Sequence, residues 1–263
     1  MEKKTIYYSD ELHDDFAGVG ERPQIEIGED YKYINKNILW RIARFIVYRV
    51  FVTPFAFLFC RLKFGMKTVG KEKIKPFKKS GLYLYGNHTQ IPADGFIPNI
   101  ITFPQDAHIV VNPDNVALRG TRNLMMMLGA VPTPTNLRGF SAFHKALAER
   151  IAQKRAVVIY PEAHIWPYYT GIRPFPSTSF RYPAKDGAPV FAFTVTYRKS
   201  KRGKPRIVTY VDGPFFSENE NVRMREKELR DTVYKAMCAR AYTDENYSFT
   251  EYIKKDTEKE EKQ

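Results

Sequence analysis

The segment from Gly86 to Gly95, Gly-Asn-His-Thr-Gln-Ile-Pro-Ala-Asp-Gly, places a histidine and an aspartate in one short loop. It directly follows an apolar run at residues 82–85 that is typical of a buried strand. A carboxylate that holds one ring nitrogen of His88 leaves the other free to take a proton from a hydroxyl. The spacing therefore suggests His88 as a general base and Asp94 as its orienting partner. The same residues also fit a structural loop, in which Asp94 caps a helix that begins near Gly95.

A second segment of this kind begins with the apolar run at residues 157–160 and continues as Pro161-Glu162-Ala163-His164. Pro161 cannot continue the ladder of a central strand, so Glu162 is expected at the end of that strand. A carboxylate in this position could bind an acceptor hydroxyl or hold a loop in place. His164 is either a second base or a loop histidine with its own hydrogen bonds.

The surrounding pattern predicts the elements that position these two segments. Apolar runs predict strands at residues 82–85, 108–111, 157–160, 190–197 and 207–211, and helical spacing predicts helices at residues 115–128, 141–154 and 220–241. Strands that alternate with helices favour an α/β fold with a mixed, mostly parallel sheet flanked by helices. Ligands of such sheets bind beyond the carboxyl ends of the strands, where His88 and Glu162 are expected.

Residues 38–64 form the most apolar region of the chain. The longest stretch without a charge, residues 50–60, has eleven residues, whereas a spanning helix needs about 20 apolar residues. The arginines before this stretch and Trp40 are typical of the membrane interface, and Pro54 is expected to bend a helix. We expect a bent helix or a helical hairpin that lies in one leaflet. The alternative is an amphipathic helix packed on the protein's own core.

The charge of the chain favours an anionic partner. The net charge is +13, although residues 1–37 hold nine acidic and five basic residues. A basic body is attracted to anionic lipid, polyphosphate or nucleic acid, but no nucleic-acid-binding motif is recognisable. Two cysteines exclude a disulfide framework and a zinc site built from cysteine. No signal peptide is recognisable, so the body is expected in the cytoplasm.

Together with their flanks, these segments resemble the glycerolipid acyltransferase family that contains the 1-acylglycerol-3-phosphate acyltransferases. Residues 86–94 resemble its His-Asp block, residues 129–134 leading to Arg138 its acceptor-binding block, residues 160–163 its Phe-Pro-Glu-Gly block, and residues 188–193 its late strand. Residues 69–74 match the segment that precedes the first block. The resemblance covers residues 65–215. With the composition of the flanking regions, it divides the chain into a polar extension at residues 1–37, an interfacial segment at 38–64, an acyltransferase domain at 65–250 and a charged tail at 251–263 that is expected to fray.

The resemblance implies direct transfer of an acyl group from acyl-CoA or acyl carrier protein to the hydroxyl of a lysophospholipid, in the first place 1-acylglycerol-3-phosphate. His88 and Asp94 would be the catalytic pair. The substrate-binding residues would be Asn87, Thr89, Arg138, Glu162, His164 and Arg173. No metal and no cofactor beyond the thioester co-substrate are implied, and the enzyme would work on an anionic membrane surface at the cytoplasmic face, as a peripheral or monotopic protein in phospholipid synthesis.

Three departures from the family pattern bear on the acceptor. Five residues rather than four separate His88 from Asp94, the usual Asp-Arg pair is missing from the second block, and Ile165 stands where the family has an arginine for the acceptor phosphate. Either Arg138 or Arg173 replaces that arginine, or the acceptor is a lipid without a free phosphate. A protein without catalytic activity that binds anionic lipid is a further alternative.

Overall fold

The computed structural model describes residues 3–18, 25–117 and 120–255 of the 263-residue chain. Within these ranges the chain forms nine strands and seven α-helices. The strands are β1 (Lys4–Tyr8), β2 (Lys67–Val69), β3 (Leu82–Gly86), β4 (Ala107–Val111), β5 (Ala130–Pro132), β6 (Ala156–Ile159), β7 (Val190–Lys199), β8 (Pro205–Phe215) and β9 (Thr250–Lys254). The helices are α1 (Ile38–Phe45), α2 (Thr53–Phe64), α3 (Ile97–Thr102), α4 (Arg122–Met127), α5 (Gly139–Ala152), α6 (Arg181–Asp186) and α7 (Val222–Ala241).

Seven of these strands form one mixed, mostly parallel sheet in the order β2-β8-β7-β3-β6-β4-β5. Its neighbours pair in parallel except β7 and β8, which pair antiparallel. The predicted α/β class is therefore confirmed. The sheet places β3 between β7 and β6, so the loops that follow β3 and β6 leave the same edge side by side.

Strand β3 is buried on both sides because helices cover both faces of the sheet. Tyr83 and Tyr85 belong to the core on the side of α5, α6 and α7, whereas Leu82 and Leu84 belong to the core on the side of α2 and α3. This alternation is the period of two that a strand imposes on its side chains. The result is a three-layer arrangement that fixes the carboxyl end of β3 in the middle of the molecule.

Most predicted elements are present with ends shifted by at most four residues, but the helix predicted at residues 115–128 is wrong. A 3-10 turn, Pro113–Val116, and the short α4 take its place, and residues 118 and 119 lie outside the described part. Gly120 has a φ of 87°. A helix cannot pass through this left-handed conformation, which glycine adopts without the steric cost of a side chain.

The apolar segment forms one continuous helical stretch, Ile38–Phe64, rather than a hairpin. Its middle, Ile46–Val52, is a π-helical segment that leads directly into α2, where Pro54 occupies the first turn. By length and composition the stretch is sufficient to cross a membrane. Only 17% of its most apolar part, 18 residues long, is buried in the protein. It is therefore not a core helix of the sheet.

Two of the arginines of this helix do not face outward, although the sequence led us to expect interfacial arginines, whereas Arg41 and Arg61 are exposed. Arg44 and Arg49 turn inward to the buried carboxylate of Asp106, which also binds Arg155 at 3.0 Å. Apart from charged residues near the two ends of the stretch, the outward side carries apolar side chains that are largely exposed, such as Leu39 and Leu62 at 73% and 74%. The helix thus presents a more continuous apolar face than its sequence suggests.

The prediction that the chain frays from Glu251 onward is wrong for its first residues. Thr250–Lys254 forms β9, which pairs in parallel with β1 at the other end of the chain. Tyr252 of β9 stacks on Trp166 with ring centroids 4.7 Å apart. Residues 256–263 lie outside the described part.

Candidate active site

His88 and Asp94 form a hydrogen-bonded pair at the carboxyl end of β3. The Nδ1–H of His88 donates to Oδ2 of Asp94 at 2.8 Å, and the backbone N–H of Gln90 donates to the same oxygen at 2.8 Å. The loop turns back on itself, because the N–H of Asp94 donates to the carbonyl of Gln90, and this turn absorbs the extra residue. The pairing leaves Nε2 of His88 as the nitrogen available to a substrate.

Tyr160, at the end of β6, holds this pair from one side. Its ring stacks on the imidazole of His88 with centroids 4.4 Å apart, and its hydroxyl donates to the carbonyl of Asp94 at 2.5 Å. Burial raises the pKa of Tyr160 well above its ordinary value, and the nearby carboxylate of Asp94 raises it further. The phenol therefore stays protonated and keeps its donor role.

Glu162 lies in the protein interior and supports His88 through the backbone. Its carboxylate accepts hydrogen bonds from the N–H of His88 and the N–H of Arg173, both at 3.1 Å. Burial raises the pKa of Glu162, and the guanidinium of Arg173 and these N–H groups oppose that effect. Of the two predicted uses for this carboxylate, binding an acceptor and holding a loop, the contacts correspond to the second.

Arg173 is almost fully buried, with 1% of its surface exposed. Its guanidinium lies 3.5 Å from the Glu162 carboxylate, donates to the carbonyls of Glu11 and His164, and covers the ring of Trp166. These contacts occupy the group that the sequence offered to an acceptor phosphate. Arg173 thus faces the protein interior rather than the space in front of His88.

Asn87 and Thr89 also point into the protein. The side-chain amide of Asn87 forms two hydrogen bonds with the backbone of Val195 on β7, at 2.7 and 3.0 Å. The hydroxyl of Thr89 lies 2.7 Å from that of Tyr197 on the same strand. These two residues hold both sides of the His88 backbone, which fits a positioning role better than the predicted contact with substrate.

A cavity of about 1490 Å³ opens in front of His88. The long helix borders it through Tyr48 and Val52, and the helical turn after the His88 loop borders it through Phe96. The carboxylates, cations and histidines of its described lining are Asp15, Asp94, Asp114, Glu226, Arg181, Lys185, His88, His144 and His164. Carboxylates outnumber permanent cations in this lining.

His164 and Arg138 complete the set of predicted site residues. His164 borders the cavity and lies 3.5 Å from the carboxylate of Asp15. Arg138 is exposed at the start of α5 and is absent from the cavity lining that the described residues form. Among the described residues, no group of three or more His, Cys, Asp or Glu side chains is placed to hold a metal ion.

No family model matches the sequence, and no curated protein matches it. One similar solved structure is the 1-acyl-sn-glycerophosphate (LPA) acyltransferase PlsC from Thermotoga maritima. It is 16% identical to this chain, covers 77% of this chain and 96% of its own, and gives a TM-score of 0.47. A chain of the Euglena gracilis mitochondrial ATP synthase, with 10% identity over 79% and 72% of the two chains, gives a TM-score of 0.20.

At these values neither similarity carries an argument about activity. Membership of this chain in the acyltransferase family that its motifs resemble stays a prediction.

Several cavity residues were missed by reasoning from the sequence. Asp15 lies 73 positions before His88 in the numbering, and nothing in its local sequence distinguishes it from its acidic neighbours. Arg181 and Lys185 stand at helical spacing on α6, which the sequence did not predict. Tyr160 was counted only as the last residue of a strand, although its position before Pro161 was a usable signal.

Proposed function

We propose that this chain is an acyltransferase that transfers an acyl group from a thioester carrier to the hydroxyl of a membrane lipid. The observation that carries the proposal is the pair His88–Asp94, which borders a large cavity beside an apolar helix. A general base with an orienting carboxylate is what removal of a hydroxyl proton requires. A cavity bordered by the helix offers a route by which a lipid reaches that base.

In the proposed reaction, Nε2 of His88 accepts the proton of the acceptor hydroxyl while the oxygen attacks the thioester carbonyl. The tetrahedral intermediate collapses with cleavage of the carbon–sulfur bond, and the imidazolium returns the proton to the leaving thiolate. Asp94 fixes the ring and stabilises the imidazolium. The products are an ester and a free thiol, so the reaction needs no metal and no further cofactor.

The two cations in the described lining of the cavity support an anionic donor. Arg181 and Lys185 both lie on α6 and border the cavity. Acyl-CoA and acyl carrier protein both carry phosphate groups, which arginine and lysine bind through charge-assisted hydrogen bonds. We assign these side chains to the donor, with acyl-CoA as the first carrier to test.

We further propose that the enzyme works at the cytoplasmic membrane surface as a peripheral or monotopic protein. The outward side of residues 38–64 is mostly apolar, with exposed basic residues near its ends, and the body of the protein is basic, which together attract an anionic bilayer. The lysolipid acceptor would then enter from the helix side. The resemblance to the acyltransferase family names 1-acylglycerol-3-phosphate as one acceptor of this class.

The experiment that tests this function is thiol release from acyl-CoA in the presence of a panel of lysolipids. We expect His88→Ala to lower the rate by about 10²–10⁴-fold, the usual contribution of such a base. A matched control is His13→Ala, because His13 forms a similar pair with Asp10 at 2.8 Å on the surface. Thermal melting of both variants reports on folding.

Two results would count against the proposal. A His88→Ala variant that keeps more than about a tenth of the wild-type rate contradicts a general-base role. If the wild type binds anionic vesicles but transfers no acyl group to any lipid of the panel, a lipid-binding protein without catalytic activity becomes the better interpretation.

A further inference from the structure

Residues 9–18, here called the N-terminal strap, are fixed against the segment that follows β6. The N–H of Phe16 donates to the carbonyl of Ile165 at 3.1 Å, and the indole of Trp166 donates to the carbonyl of Asp14 at 2.8 Å. The ring of Phe16 also packs edge-on against Trp166. The residue between these two anchor points, Asp15, is therefore held in a defined position at the cavity wall.

The Asp15 carboxylate faces the cavity and is accessible there. It lies 3.5 Å from Nδ1 of His164, and the side chains of Asp15 and His164 are 47% and 34% exposed. The strap thus adds a carboxylate to the lining without burying it in the protein.

This carboxylate lies on the same wall as the proposed base. The N–H of Trp166, two residues after His164, donates to the carbonyl of His88 at 3.1 Å, and Glu162, two residues before it, accepts from the N–H of His88. Hydrogen bonds from the residues on both sides of His164 therefore join this segment to the backbone of His88. A head group next to the reacting hydroxyl is expected along this wall.

Among the described residues, this wall offers no exposed lysine or arginine to a phosphate. Ile165 has no side-chain donor, the guanidinium of Arg173 is buried against Glu162, and the two cations of the described lining lie on α6. A phosphate monoester carries close to two negative charges and would meet the charge of Asp15. A sugar or glycerol hydroxyl would instead donate a hydrogen bond to that carboxylate.

We propose that Asp15 determines acceptor specificity and selects lipids whose head group is uncharged and rich in hydroxyls over lipids with a free phosphate monoester. The inference rests on the proposed acyl transfer and names its acceptor class. It also gives the strap a role in the site, because it carries a substrate-facing residue from a distant part of the sequence.

The test compares two acceptors with the same acyl chain, a monoglycosyl monoacylglycerol and lysophosphatidate, in detergent micelles with one acyl-CoA. The full chain is assayed as wild type, Asp15→Asn and Asp15→Lys. Glu11→Gln is the matched control, because it removes a charge from the same strap and its side chain does not border the described cavity. The readout is the ratio of kcat/KM for the two acceptors.

We expect the wild type to favour the glycolipid, Asp15→Asn to reduce the ratio about tenfold, and Asp15→Lys to reverse the preference, since like-charge contacts act on specificity. Glu11→Gln should leave the ratio unchanged. Equal ratios in the wild type and both Asp15 variants, with transfer that still depends on His88, overturn the inference and leave the proposed function standing. Absence of transfer that depends on His88 for every acceptor overturns both.

Discussion

Ala163 follows Glu162 in a backbone conformation that suits glycine. Its φ is 62°, in the left-handed region where a Cβ is crowded by backbone atoms. The acyltransferase family that the sequence resembles has glycine at this position of its third block. The turn lets Glu162 point back into the protein while His164 faces the cavity, so the strained backbone serves the geometry of the site.

We expect Ala163→Gly to raise the free energy of unfolding by about 0.5–1 kcal/mol, because relief of the left-handed strain exceeds the entropy that glycine adds to the unfolded chain. Ala148→Gly inside α5 is the control and should lower stability by about 1 kcal/mol. Chemical denaturation measures both. A destabilised Ala163→Gly variant would show that the alanine methyl group contributes more through packing than the backbone conformation costs.

At the scale of elements, the long helix joins a polar inner side to an apolar outer side. Asp106, directly before β4, is 3% exposed. It forms ion pairs with Arg44 of the helix and with Arg155, the residue before β6. A buried carboxylate requires such partners, because an unpaired charge in the interior is strongly destabilising. Two of the charges that seemed to interrupt the apolar segment, Arg44 and Arg49, therefore attach it to the sheet.

We expect Leu62→Asp to weaken binding to anionic vesicles about ten- to a hundredfold, because transfer of one leucine side chain from water contributes about 1.5–3 kcal/mol. Leu62 is 74% exposed, so folding should be unaffected. Leu137→Asp, at a leucine that is 88% exposed away from the helix, is the control. Vesicle flotation measures the binding. Equal binding of both variants would place the membrane contact elsewhere.

For the molecule as a whole, the ion pairs of Asp212 connect three distant parts of the chain. This β8 residue accepts two hydrogen bonds from Arg240 of α7, at 2.8 and 2.9 Å, and one from Lys73 at 2.9 Å. Burial acts to raise the pKa of Asp212, but the hydrogen bonds from the two cations outweigh it and hold the pKa below its ordinary value of 3.8.

A lowered pKa gives a defined sign to the pH dependence. The stability that Asp212 contributes is present above its ordinary pKa of 3.8, the value expected in the unfolded chain, and is lost as the pH falls through the lower folded-state pKa. We expect Asp212→Asn to cost about 1–3 kcal/mol at pH 7 and to show a smaller loss of stability than the wild type on acidification below about pH 4. Denaturant unfolding at several pH values tests this, with the exposed Asp244→Asn as control.

The sequence by itself determined the elements with a strong local pattern. The buried strands β3, β6 and β7 and the helices α5 and α7 follow from apolar runs and helical spacing, and the His88 and Glu162 segments follow from their place at strand ends. These features depend on residues that are close in the chain. That is why the fold class and the His88–Asp94 pair could be predicted.

Only the tertiary structure decided which of the predicted site residues face the cavity. Glu162 and Arg173 are turned into the protein, and Asp15 arrives from the far N-terminal part, because β1 pairs with β9 from the opposite end of the chain. Strands this short and polar carry no local signal. Their pairing is decided by long-range packing, such as that of Tyr252 on Trp166, which a local pattern does not encode.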